Sequence, residues 1–166
     1  MLVKIGFSDT PEVISKIVER VIGAKFSHAY FVIFTTELGT LVYQADASGP
    51  SLTSMAEFRK SHTIVYELTP AIDLSQAVSD SISKYIGDGY DYTGDIGTLL
   101  EDVGAGKRWA DDFHRPGCEN CSALVVRTMQ LARDPVYPGA DNLVAVETDP
   151  KQLFDFLVAA AKSAAP

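Results

Sequence analysis

An uninterrupted apolar run at residues 29–34 restricts the fold more than any other feature of this sequence. After Ala29, every residue of the run is aromatic or β-branched, and such residues favour strands. A strand that is apolar on both faces is covered on both faces, so we predict that it lies inside a sheet. A turn at residues 36–40 and an alternating segment at 41–47 follow, which predicts an antiparallel hairpin.

Further strands and helices are predicted around this hairpin. Residues 2–7 and 62–68 have strand patterns, and a short edge strand is predicted at 143–146. Helical periodicity and capping signals predict helices from Pro11 to Gly23, at 53–60, 74–86 and 96–103, from Asn120 to near 133, and from Pro150 onwards. The expected class is α+β, an antiparallel sheet packed against helices, in a single domain over residues 1–166.

The composition argues against several classes of function. The net charge is −8 at pH 7 and Lys and Arg form no cluster, which argues against nucleic acid or an anionic membrane as the main partner. No apolar run approaches the length of a membrane span. Residues 2–7 lack the charged head and long apolar core of a signal peptide. We therefore expect a cytoplasmic protein without stable membrane insertion, either bacterial or phage-encoded.

A candidate nucleophile lies where a polar segment meets a helix. Residues 111–117 are polar and contain Pro and Gly, and an apolar-periodic segment begins after Asn120. This pattern predicts that Asn120 caps the helix and that Cys121 lies in its first turn. Backbone N–H groups and the positive end of the helix dipole stabilise a thiolate there, which lowers the pKa of the thiol. Cys121 is therefore the predicted nucleophile.

The spacing of Cys118 and Cys121 has three interpretations: a redox pair, half of a zinc site, or a nucleophile with an incidental neighbour. A thioredoxin-type pair follows an early strand, whereas this pair occurs late in the chain. A zinc site needs two more ligands, and His114 is the only close candidate. We favour the nucleophile, which requires no metal or cofactor, and the other two interpretations stay open as alternatives.

Three histidines are candidates for the base that a thiol nucleophile needs. His28 directly precedes the apolar run and would be held rigidly at the end of the sheet. His62 begins the third predicted strand and has the pattern of a surface residue, and His114 lies in the loop before the cysteines. The alternation of the returning strand places Gln44 and Asp46 on one face, where either could orient a base.

Four segments occur in an order that is known from one enzyme family. A Ser-His pair precedes an apolar strand at 26–33, and the next strand at 41–45 carries a polar residue. A Gly-Tyr-Asp-Tyr turn follows at 89–92, and a Cys-Ser helix start at 120–125. The combination resembles the circularly permuted papain-like cysteine peptidases and amidases of the NlpC type, which are related to lecithin:retinol acyltransferase. The resemblance implies their fold, in which the histidine precedes the cysteine.

The resemblance also implies a role for each matching residue. Cys121 matches the nucleophile, whose backbone N–H would be the main oxyanion donor, and His28 matches the general base. Gln44 occupies a third position where the family commonly has Glu or His. The charge of a carboxylate is therefore missing there, although an amide still fixes the tautomer and direction of the ring. Asp46 is the alternative orienter, and the hydroxyl of Tyr90 could assist the oxyanion.

The implied reaction is hydrolysis of an amide through a thioester on Cys121. The implied substrate is a small peptide, an isopeptide, a peptidoglycan-type cell-wall amide or another acyl amide. If the acyl group passes to an alcohol or amine instead of water, the same site is an acyltransferase, and with acyl lipids it is a lipid-acyl hydrolase. The amide at Gln44 leaves a non-catalytic binding protein of the same fold as a further alternative.

Overall fold

Five antiparallel strands form the sheet that positions the candidate site. The structure is a computed structural model and describes residues 1–11, 13–46, 48–90, 118–133 and 135–163. The strands are β1 (Leu2–Asp9), β2 (His28–Phe34), β3 (Thr40–Asp46), β4 (Gly49–Ser54) and β5 (Thr63–Leu68), in the order β4-β3-β2-β1-β5. Every neighbouring pair is antiparallel, so the predicted α+β class with an antiparallel sheet is confirmed.

The described helices lie between these strands and after them. They are α1 (Val13–Ile22), the short α2 (Met55–Phe58), α3 (Ser75–Tyr85), α4 (Cys121–Leu131) and α5 (Pro150–Ser163). A helix was predicted at each of these five positions, and all five predictions are confirmed. The helix predicted at 96–103 lies outside the described residues. Within the described ranges, no helix is both long enough and apolar enough to cross a membrane.

The apolar run at residues 29–34 lies in the central strand, as predicted. Strand β2 pairs with β1 on one side and with β3 on the other, and Phe31 is paired with Ile5 and Tyr43. Phe31 and its neighbour Val32 belong to different apolar clusters, and both are fully buried. The sheet is therefore covered on both faces at β2, which explains why the run contains no polar position.

The larger apolar cluster lies between the sheet and helices α3, α4 and α5. Leu124 of α4 and Leu153 of α5 are fully buried in it. A chain of hydrogen bonds joins the layers: Tyr43 Oη is 3.1 Å from Ser81 Oγ, which is 2.6 Å from Thr128 Oγ1. This chain connects β3, α3 and α4, so α4 and the cysteine at its start are held in a fixed position against the sheet.

A smaller apolar cluster covers the opposite face of the sheet, and its members are Tyr30, Val32, Val42, Met55 and Phe58. The Tyr30 ring lies directly across Gly6 of β1. A Cβ atom at Gly6 would lie 2.3 Å from Tyr30 Cζ, a separation that carbon atoms do not adopt. The ring of Tyr30 can therefore occupy this position only because residue 6 has no side chain.

Strand β4 was not predicted, because Gly49 and Pro50 have the pattern of a turn. In the structure Pro50 pairs with Ala45 in a strand at the edge of the sheet. Proline lacks the backbone N–H that a central strand needs, but edge strands tolerate it. The short strand matters for the site because it contributes Ser51, which contacts Asp46.

The edge strand predicted at 143–146 is wrong. The structure has two 3-10 turns in this region, Ala140–Asn142 and Ala145–Glu147. The side-chain amide of Gln130 donates hydrogen bonds to the carbonyl oxygens of Ala140 and Leu143, at 3.1 and 3.0 Å. These backbone carbonyls are therefore satisfied by a side chain of α4, so they need no partner strand.

Candidate active site

The start of helix α4 holds the predicted nucleophile. Asn120 has an extended backbone, with φ −87° and ψ 170°, and its Oδ1 accepts a hydrogen bond from the backbone N–H of Ala123 at 2.7 Å. The predicted side-chain cap is therefore confirmed, and Cys121 is the first residue of the helix. The thiol is thus placed at the positive end of the helix dipole, which favours the anionic form of a thiol.

The Cys121 thiol lies beside the chain that leads into β2. Its Sγ is 4.0 Å from the backbone carbonyl oxygen of Ser27 and 3.9 Å from Oγ of Ser122. Ser27 is the residue before His28, with which β2 begins. Helix α4 and strand β2 therefore bring the predicted nucleophile and the predicted base to the same end of the sheet.

The ring of His28 is held by Gln44 of the neighbouring strand. His28 Nε2 is 2.9 Å from Gln44 Oε1, and both side chains are buried. An amide oxygen only accepts hydrogen bonds, so Nε2 carries the proton and donates it. Of the two side chains predicted as orienters, Gln44 is the one that contacts His28 directly.

Asp46 lies behind Gln44 in the same row of β3. Its Oδ2 accepts hydrogen bonds from Gln44 Nε2 at 3.0 Å and from Ser51 Oγ at 3.1 Å. Its Oδ1 accepts from the backbone N–H of Ser48 at 2.8 Å and from Ser48 Oγ at 2.5 Å. Burial opposes ionisation of Asp46, but the hydrogen bonds from Ser48 and Ser51 outweigh it and hold the pKa of this carboxyl below its ordinary value.

The surroundings of His28 favour its neutral form. Burial is the largest cause and the positive charge of His62 is the second, and together they lower the pKa of His28 from 6.5 to about 4. The hydrogen bond that His28 donates to Gln44 and the negative charge of Asp46 act in the opposite direction but do not balance them. His28 is therefore a neutral imidazole at pH 7, which is the form that can accept a proton.

His62 is a second histidine at this site. Its ring centroid is 5.1 Å from that of His28, and it is stacked on Phe58 at 4.0 Å. His62 was predicted to be a surface strand residue, but it lies just before β5 and is half-buried. The only sequence signal for this position is the spacing of four between Phe58 and His62, which is reflected in the hydrogen bond from the His62 backbone N–H to the Phe58 carbonyl at 3.1 Å.

The chain that carries Tyr90 runs beside the chain that leads to Cys121. Strand β6 (Gly89–Tyr90) pairs in parallel with β7 (Cys118–Glu119), and Tyr90 is opposite Glu119. The backbone of the predicted oxyanion helper is thus next to the approach to α4. The positions of the Tyr90 hydroxyl and the Cys118 thiol lie outside the described part of the chain, so the roles suggested for them stay predictions.

The zinc interpretation depends on residues that the structure describes only in part. Among the described residues, no group of three or more His, Cys, Asp or Glu side chains could hold a metal ion. His114, the closest candidate ligand in the sequence, lies outside the described ranges.

Comparisons of the chain with protein-family models, with curated proteins and with solved structures found no match in any of the three. The candidate site consists of a capped helix that begins with a cysteine, a buried neutral histidine and an amide that fixes the histidine ring.

Proposed function

We propose that this protein is a cysteine hydrolase of the circularly permuted papain-like, NlpC type, which cleaves an amide bond through a thioester on Cys121. The observation that carries the proposal is the 2.9 Å hydrogen bond between His28 Nε2 and Gln44 Oε1, at the end of the sheet where the Cys121 helix begins. This bond leaves His28 Nδ1 as the basic nitrogen. A nucleophile, a base and a group that orients the base are the parts that thiol catalysis requires.

The first half of the reaction forms the thioester. His28 Nδ1 takes the proton from Cys121 Sγ while the sulfur attacks the carbonyl carbon of the substrate, and the carbonyl π electrons move to oxygen. The resemblance assigns the stabilisation of this oxyanion to the backbone N–H of Cys121. When the intermediate collapses, the C–N bond breaks and the imidazolium returns its proton to the leaving amine.

The second half releases the acyl group. Neutral His28 takes a proton from a water molecule, whose oxygen attacks the thioester carbonyl. The C–S bond then breaks, the thiolate is reprotonated by His28, and a carboxylic acid leaves. An alcohol or amine in place of water gives acyl transfer with the same residues, so hydrolase and acyltransferase differ only in what enters the site at this step.

A non-catalytic protein of the same fold is the second candidate. The low exposure of the two key side chains favours it, since Cys121 is 5% and His28 9% exposed. Binding proteins that have lost catalysis have no need to keep a base neutral and oriented, whereas here the ring is fixed by Gln44, which is itself fixed by Asp46. We therefore place hydrolysis first.

Covalent labelling tests the proposal without knowledge of the substrate. A peptidyl acyloxymethyl ketone, which reacts with activated thiols, should add to Cys121 of the wild type and not to the Cys121→Ala or His28→Ala variants. Mass spectrometry of the digested protein locates the adduct. The Cys118→Ala variant is the matched control and should label like the wild type. Undiminished labelling of Cys121 in His28→Ala would mean that Cys121 reacts without His28, which contradicts the proposed Cys-His pair.

A further inference from the structure

We propose that Asp46 is a positioning residue that sets the tautomer of His28 through the side-chain amide of Gln44. Three side chains form a continuous row: His28 Nε2 contacts Gln44 Oε1 at 2.9 Å, and Gln44 Nε2 contacts Asp46 Oδ2 at 3.0 Å. Asp46 does not touch the imidazole, yet it decides which ring nitrogen carries the proton. The catalytic role of this row rests on the proposed function, whereas the effect of Asp46 on the His28 tautomer does not.

The carboxylate of Asp46 can play only one role in this row. An ionised Asp accepts hydrogen bonds and donates none. Four hydrogen bonds converge on Asp46, from Gln44, from the backbone and hydroxyl of Ser48, and from Ser51. Donors on both oxygens favour the charged form over the protonated one. Asp46 therefore presents an acceptor, and nothing else, to Gln44.

The orientation of the Gln44 amide links the Asp46 carboxylate to the tautomer of His28. An amide has a donor end and an acceptor end, and its orientation follows from its partners. Because the Asp46 carboxylate only accepts hydrogen bonds, the NH2 group of Gln44 faces Asp46 and the amide oxygen of Gln44 faces His28. That oxygen also only accepts hydrogen bonds, so the proton of neutral His28 lies on Nε2. The unprotonated nitrogen is then Nδ1, the one that takes the proton of the Cys121 thiol in the proposed reaction.

The same row supplies the charge that an amide at position 44 lacks. An imidazolium at His28 is stabilised by a negative charge nearby, and the Asp46 carboxylate lies one side chain further away than a carboxylate at position 44 would. Hydrogen bonds from Ser48 and Ser51 keep that charge in place. Gln44 and Asp46 together thus divide between them the two tasks of a single acidic orienter, direct contact and charge.

Two variants separate this device from simple packing. In Asp46→Asn the backbone N–H of Ser48 holds the new amide oxygen, so the new NH2 group faces Gln44. Two donors cannot face each other, so the Gln44 amide flips and offers NH2 to His28, whose proton moves to Nδ1. In the double variant Gln44→Glu/Asp46→Asn, the new amide at position 46 donates to the new carboxylate at position 44, and that carboxylate again accepts from Nε2. This double variant exchanges the positions of the amide and the carboxylate.

Long-range ¹H–¹⁵N correlation spectra at pH 7 distinguish the two tautomers of a neutral histidine. We expect Nε2–H for His28 in the wild type, Nδ1–H in Asp46→Asn, and Nε2–H again in Gln44→Glu/Asp46→Asn. The matched control is Ser51→Ala, which removes a hydrogen bond from the same Oδ2 but keeps the charge, and it should retain Nε2–H. The signal is assigned by its loss in His28→Ala. The proposal is overturned if Asp46→Asn keeps Nε2–H, or if the double variant resembles the single one.

Alkylation of Cys121 by iodoacetamide gives a second, separate readout. We expect the rate to fall by roughly 10²-fold in Asp46→Asn, the low end of what a positioned general base contributes, and to recover in the double variant. If the tautomer changes as expected but the alkylation rate does not, the positioning role of Asp46 stands and the proposed Cys-His function fails. If the rate falls while the tautomer stays unchanged, the device proposed for Asp46 is wrong.

Discussion

The imidazole ring of His62 lies 5.1 Å from that of His28, centroid to centroid, while Nε2 of the His28 ring is hydrogen-bonded to Gln44. A protonated His62 thus places a positive charge beside a buried ring that accepts a proton in the proposed mechanism. The pKa of His28 is lowered first by burial and second by this charge. His62 therefore influences the pH at which the proposed base works.

Removal of the His62 charge should raise the pKa of His28. In His62→Phe the ring stacked on Phe58 is kept but the positive charge is lost, so the pKa of His28 should rise above about 4 and stay below 6.5 because the burial remains. NMR titration of the His28 ring protons measures it. His62→Gln should shift the pKa in the same direction with a polar side chain. A pKa of His28 that is unchanged in both variants would show that the two rings do not interact electrically.

The depressed pKa of His28 also predicts how stability depends on pH. Between pH 4 and 6.5 the unfolded chain binds a proton at this residue that the folded chain excludes, so the free energy of unfolding falls as the pH drops through this window. The full contribution, present above 6.5 and lost towards 4, corresponds to roughly 3 kcal/mol. Urea unfolding of the wild type and of His28→Gln across this window measures it. The pH dependence should be weaker in His28→Gln by about that amount, and equal slopes would contradict the prediction.

Gly6→Ala should destabilise the protein through Tyr30. The new methyl group would lie 2.3 Å from Tyr30 Cζ, so the buried ring must move, at a cost of roughly 1–3 kcal/mol. The Leu side chain in a Tyr30→Leu background ends before the position of Tyr30 Cζ. Gly6→Ala should therefore lower the free energy of unfolding by less in that background. Unfolding of the two single variants and the double variant gives the coupling. Strictly additive losses would mean that the Tyr30 ring is not the obstacle.

Two substitutions at Asn120 should separate stability from thiol reactivity. Asn120→Ala removes the acceptor for the Ala123 N–H and should lower the free energy of unfolding by about 1 kcal/mol. Asn120→Asp keeps an acceptor at the cap, so the protein should stay as stable, but its negative charge beside Cys121 should raise the pH at which the thiol becomes reactive. Urea unfolding and the pH profile of alkylation measure the two effects. If Asn120→Asp leaves the profile unchanged, the helix start does not control the thiol.

Features encoded by neighbouring residues were predictable from the sequence. The all-apolar run at residues 29–34 specifies a strand buried on both faces, and the pair Asn120-Cys121 specifies a capped helix start. Strand β4 was missed because Gly49 and Pro50 give a turn signal, and only their pairing with β3 at the sheet edge makes them a strand. The local sequence does not contain that pairing.

The candidate site also combines features that the local sequence predicts with contacts that depend on the fold. Alternation placed Gln44 and Asp46 on one face but does not say which of them meets His28. The register that pairs Phe31 with Tyr43 would bring Asp46 opposite His28 if it continued to the strand end, whereas the side chain that reaches the ring is Gln44. His62 reaches the site only because the short helix α2 folds back over the sheet. The hydrophobic periodicity of the sequence does not predict this packing. Side chains that meet through strand register or helix packing are therefore the part of the site that required the structure.

The central claim is that His28 activates Cys121, and the pH dependence of Cys121 alkylation tests it most directly. At pH 6 an ordinary thiol is almost wholly protonated and reacts slowly. Iodoacetamide should alkylate Cys121 of the wild type at this pH at least about 10²-fold faster than Cys121 of His28→Ala, with Cys118→Ala behaving like the wild type. Equal rates in the wild type and His28→Ala from pH 5 to 9 would contradict the claim.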